Sequence, residues 1–94
     1  MALQQTGTFQ TPNASKYLQQ LCKHFAHKVA VIFDESEGRA ALPPGPALLS
    51  ASAEALLVEI SAQSEADLAE ARFIIDDHLK RFAHREDFAG MSWS

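Results

Sequence analysis

Cys22, His24 and His27 are residue types that hold zinc or iron, because thiolate and imidazole are strong ligands for those ions. Their spacing works against a shared ion. At about 100° per helical residue, Cys22 and His24 point roughly 160° apart. Cys22 falls on an apolar stripe with Leu18, Leu21 and Phe25, so it is expected in the core as a small hydrophobe. Of the three, His24 and His27, about 60° apart at i,i+3, share a side of the helix. Two further histidines, His78 and His84, lie in and just after a second helical segment. Were the two helices to pack side by side, His24 and His78 would meet as a two-histidine metal site, with Asp76 or Asp77 at hand to complete it. The alternative is a pair of edge imidazoles bonded to backbone or carboxylate.

Charge is distributed unevenly. Residues 15–28 hold three lysines and no acid, +3, whereas the other five basic and twelve acidic residues give −7 of the net −4. Lys16, Gln20, Lys23 and His27 are expected on the outward face of the first helix. An anionic ligand or acidic protein would be drawn to that face and to the helix N-terminus near Ser15 and Tyr17. On the second helix Asp76 with Lys80, and Asp77 with Arg81, have the i,i+4 spacing of surface ion pairs. Arg81 and Arg85 are alternatively placed to hold a carboxylate or phosphate. The acidic balance and a pI of about 5.4 argue against a nucleic-acid partner. No glycine-rich phosphate loop or nucleophile elbow is present, so no catalytic residue and no cofactor is expected, and a non-enzymatic binding role is favoured.

These residues sit on readable elements. Residues 3–10 (LQQTGTFQ) suggest a first strand, ended near Pro12, with Asn13 and Ser15 as N-cap candidates for a helix running to about Lys28. Residues 29–33 form a β-rich run, 34–38 an acidic turn, and 39–42 a short second arm before the proline-rich 43–46. Residues 47–51 and 56–62 alternate as strands, although alanine and leucine over 47–57 also permit a helix. Ser64 and Asp67 open the second helix, whose buried face is Leu68, Ala71, Ile75, Leu79 and Phe82. Phe73 projects opposite that face, where either a homodimer contact or a C-terminal strand would cover it. The order β-α-β-β-β-β-α, with an edge strand near Trp93, predicts one α+β domain over residues 1–94. In this two-layer sandwich, two helices pack on one face of an antiparallel sheet. The absence of a signal-like start or an apolar run of about 20 residues predicts a cytoplasmic protein without a membrane partner.

Two stretches, residues 15–28 (SKYLQQLCKHFAHK) and 77–86 (DHLKRFAHRE), resemble a small bacterial family, the domain of unknown function 2218. The resemblance covers nearly the whole chain. Its motif positions fall on Ser15, Lys16, Tyr17, Cys22, Lys23, His24, His27, Lys28, Asp77, His78, Arg81, Arg85 and Glu86. It implies a setting beside, or fused to, flavin-dependent siderophore-interacting reductases, and hence an accessory role in iron acquisition. The basic first helix and the His24/His78 region would then contact an anionic small molecule or the reductase.

Overall fold

Alternation in one strand organises the molecule. In β5 (Ala55–Ala62), Leu56, Val58, Ile60 and Ala62 are buried on one side, while Leu57 and Glu59 point to the other. A strand apolar on one side needs helices on that side, and the chain supplies two. The structure is a computed structural model that describes residues 3–86, 88 and 90–94. Two helices pack against one face of a six-stranded antiparallel sheet of order β2-β3-β4-β5-β1-β6, the α+β architecture that the sequence predicts.

The first strand, β1 (Leu3–Gln10), pairs with β5 along its whole length, from Leu3 opposite Ala62 to Gln10 opposite Ala55. Helix α1 (Ala14–Phe25) follows Asn13, and Ser15 lies one residue inside it. It ends three residues earlier than its periodicity suggests. The Phe25 carbonyl accepts from both Lys28 N and Val29 N at 2.9 Å, turning the chain so that β2 (Val31–Phe33) can pair with β3 (Glu37–Ala40). The turn between these strands closes at Ser36 rather than Gly38. Asp34 Oδ1 accepts from Ser36 N and Glu37 N at 2.8 Å each, freeing Glu37 and Gly38 for the sheet. Residues 47–57 hold two strands and a turn, not a helix: β4 (Ala47–Ala51) and β5 form a hairpin closed by the Ser52 hydroxyl.

The proline-rich connection before β4 runs alongside the end of β5, where Ser61 N donates to the Pro46 carbonyl at 3.3 Å. A Cβ on Gly45 would stand 1.8 Å from the Ser61 carbonyl oxygen, so only glycine fits there. Helix α2 (Glu65–Phe82) begins at Ser64, whose hydroxyl accepts from Asp67 N at 3.2 Å. Its Leu68, Ala71, Ile75 and Leu79 join Leu18, Leu21 and Cys22 of α1 against β5, with Phe82 half-buried beside them. A short 3₁₀ turn (His84–Glu86) leads to β6 (Ser92–Trp93), which pairs with the outer edge of β1. The His84 side chain lies outside what is described. The C-terminal segment leaves Phe73 uncovered, at 66% exposure.

The interior is closely packed, so truncating Leu79, which is fully buried, to alanine is expected to cost about 2–5 kcal/mol in urea unfolding. Phe73→Ser, on the exposed side of the same helix, is expected to stay within about 0.5 kcal/mol of wild type. Equal losses in the two variants would contradict this assignment of inner and outer faces.

Candidate functional site

Helices α1 and α2 pack side by side, and their seam brings two of the predicted residues together. His24, in the last turn of α1, and His78, on α2, have ring centroids 4.5 Å apart at an interplanar angle of 53°. Aromatic rings brace both: Phe25 lies edge-on to His78 at 5.2 Å, and Phe82 edge-on to His24 at 6.2 Å. Nδ1 of His78 is 2.6 Å from the Ile74 carbonyl oxygen. A carbonyl only accepts, so Nδ1 donates this bond, and Nε2 is the ring nitrogen left for another partner. Desolvation first, and then the charges of His78, Lys28, His27 and Arg81, hold the His24 pKa below its ordinary value.

Beside the pair lies a pocket of about 220 Å³. Phe25, Val29, Leu42, Pro43 and Ile74 make its apolar walls, and His24, His78 and Lys28 supply its polar groups. Sequence spacing had no means of finding Val29, Leu42 and Pro43. They come from the turn after α1 and from the proline-rich stretch, brought together only by the sheet. Among the described residues no group of three or more His, Cys, Asp or Glu side chains converges. The two aspartates considered as completing ligands are engaged elsewhere. Asp76 accepts from Met91 N and Trp93 Nε1 at 3.0 Å each, and so pins the C-terminal strand instead of pairing with Lys80. Asp77 forms the expected ion pair with Arg81 at 3.2 Å.

The other sequence-predicted residues lie apart from this pocket. Cys22 is fully buried, and burial pushes its thiol up to about 11, which leaves it inert as a nucleophile. His27 falls in the turn beyond α1, while Lys16, Lys23 and Arg85 are exposed. Gln20, expected on the outward face, instead has its Oε1 buried without a hydrogen-bond partner among the described residues.

Ser15 and Tyr17 stand nine and seven residues before His24, about 14 and 11 Å along the helix. There the place expected for an external anion holds an internal one. Glu86 accepts hydrogen bonds from Thr11 Oγ1 at 2.7 Å, from Asn13 Nδ2 at 3.0 Å and from Tyr17 Oη. The first turn of α1 has no acidic residue of its own, and the Asn13 side chain does not cap it. The remote Glu86 thus provides the negative charge that a helix N-terminus favours. The Tyr17 bond, followed by those of Thr11 and Asn13, keeps the Glu86 carboxyl below its usual pKa. Burial, and then Glu86 itself, raise the Tyr17 phenol to about 12. The sequence signal for this clasp was the presence of Tyr17 and Glu86 in the two motif stretches, but nothing in their spacing joined them.

A family model described as "Uncharacterized protein conserved in bacteria (DUF2218)" matches residues 6–94. The chain belongs to the DUF2218 family. One similar solved structure is the NMR structure of PA4090 from Pseudomonas aeruginosa, 27% identical, with a TM-score of 0.79 over 97% of this chain and 94% of that one. A comparison with curated proteins finds no match. In this DUF2218 domain the two motif stretches therefore serve two places: the Glu86 clasp at one end of α1 and the histidine pair at the other.

Both ends of α1 make stability depend on pH in the same direction. His24 and Glu86 each have a depressed folded-state pKa, so each contribution is present above the unfolded value, about 6.5 for His and 4.3 for Glu. Each is lost as pH falls through the folded value. Unfolding followed from pH 8 to 3 should show two descending limbs. His24→Asn should flatten the upper limb and Glu86→Gln the lower, the latter also costing about 2 kcal/mol at neutral pH through the lost charged acceptor. A wild-type profile flat below pH 6.5 would contradict both assignments.

Proposed function

We propose that this domain is a non-enzymatic binding module whose site is the pocket between α1, α2 and the 28–43 segment. Its ligand is a small anion with a single-ring apolar body. The observation that carries this is the combination of apolar walls with Lys28 and two touching imidazoles. A volume of about 220 Å³ is small for a drug-sized ligand but ample for a ring, since a dry cavity of about 150 Å³ accepts benzene. Lys28 would meet a carboxylate, and the free Nε2 of His78 would accept from a ring hydroxyl. Hydroxybenzoate-type acids combine these groups, which suits the iron-acquisition setting that the family resemblance implies. A siderophore-interacting reductase is the partner proposed for the exposed Lys16 and Lys23.

Metal binding is the second reading, favoured by one observation: the His78 Nδ1–H bond to a backbone carbonyl. Metal-ligating imidazoles are commonly oriented in this way. His24 and His78 would be the ligands contributed by the described residues.

Titration of the ¹⁵N-labelled, untagged chain separates these readings. With 2,3-dihydroxybenzoate, shifts are expected at Phe25, Lys28, Ile74 and His78, with Kd about 0.1–1 mM for a ligand of that size. Lys28→Glu is expected to weaken binding at least tenfold. Zinc shifting His24 and His78 while dihydroxybenzoate leaves the pocket unmoved would replace the first reading by the second, and silence with both would remove the site.

A further inference from the structure

The sheet face turned away from the helices carries a cross-strand row in which Ile32, Arg39, Leu48, Glu59 and Thr6 stand side by side on β2, β3, β4, β5 and β1. Ile32 is 79% exposed, Leu48 42%, and Leu57, in the neighbouring row, 41%. Among the described residues neither Arg39 nor Glu59 has an ion-pair partner. The row is antisymmetric in charge about Leu48, with a cation one strand to one side and an anion one strand to the other. Both stand about 4.8 Å away in the sheet.

We propose that a second copy of this chain covers this face, around a two-fold axis running along β4 over Leu48. Such an axis leaves position along the strand unchanged and exchanges the two sides of β4. It therefore sets Leu48 against its own counterpart, Arg39 of each copy over Glu59 of the other, and Ile32 over the methyl-bearing Thr6. The contact is isologous, so it closes at two copies and leaves no sticky surface for further growth. Sheets stacked face to face lie about 10 Å apart, a gap that long arginine and glutamate side chains span from opposite sides. Glu37, two residues before Arg39 on the same face, gives each guanidinium a second carboxylate nearby.

The dimensions set the strength. Five strands at about 4.8 Å spacing, averaging about five residues at 3.3 Å rise, present roughly 400 Å² per copy. Roughly 800 Å² in total falls below the 1,200 Å² or so of a stable interface, so this is a weak, concentration-dependent dimer. Two ion pairs in a thin interface then carry most of its specificity, because like charges set opposite each other disfavour any other register.

Sedimentation velocity of the full chain from about 10 µM to 1 mM tests this range. Wild type is expected to move from monomer towards dimer. Arg39→Glu and Glu59→Arg should each weaken association at least tenfold, and the double variant, with both charges exchanged, should regain it. Circular dichroism confirms that these surface variants remain folded. A wild type still monomeric at the highest concentration, or a folded double variant that fails to regain association, would overturn the proposal. Loss of association on Phe73→Glu alone would also overturn it, by moving the interface to α2.

Discussion

One face of the sheet is covered and the other is not, and most of the molecule follows from that. Six strands at about 4.8 Å spacing make a sheet about 24 Å across between its outer strand axes, and two helices of about 10 Å diameter cover most of one side and none of the other. The inward residues of β5 (Leu56, Val58, Ile60 and Ala62) meet Leu18, Leu21, Ile75 and Leu79, and among the described residues no further helix covers Leu57. Among the described residues the seam between α-helices is therefore where α1 and α2 run side by side. A pocket there can draw on both helices and on the loop that rises past them.

Two acidic residues that resemble ordinary surface charges act as anchors. Asp76 holds the Met91 amide and the Trp93 indole, keeping the short β6 on the edge of β1. Glu86 takes three donors from the start of α1 and completes a helix terminus that has neither an acidic first turn nor a side-chain cap. A hydrogen bond to a carboxylate is about twice as strong as a neutral one, and three on one group define its position closely. Phe9 packs between Tyr17 and Phe88 beside this clasp, at 5.7 and 4.6 Å between ring centroids. The C-terminal residues are thus tied at two points to elements made much earlier in the chain.

The histidine pair differs from the clasp in what it leaves unused. Glu86 has its oxygens filled by the chain itself, whereas His78 spends Nδ1 on Ile74 and keeps Nε2 free. His24, kept neutral by desolvation and by neighbouring cations, adds no fixed charge at neutral pH, which leaves Lys28 as the permanent cation of the pocket.

The sequence by itself determined the elements and the inner faces. Residues 3–10 and 47–51 are strands with the predicted bounds, and the buried stripe of α2 was legible from its 3.6-residue period, because periodicity reports burial directly. Ends of elements were less legible. The end of α1 at Phe25 and the turn at Ser36 depend on hydrogen bonds to Phe25 O and Asp34 Oδ1, which follow from where the next strand must pair. Within the site, the meeting of His24 and His78 followed from helix faces, since both flank apolar stripes that share one core. The pocket walls at Leu42 and Pro43, the clasp of Glu86 and the diversion of Asp76 to Trp93 were decided only by tertiary structure. These contacts join residues up to 75 positions apart, and at such separations local pattern carries no information about distance. Packing of the sheet and helices sets them, and with them the chemistry that the pocket can offer.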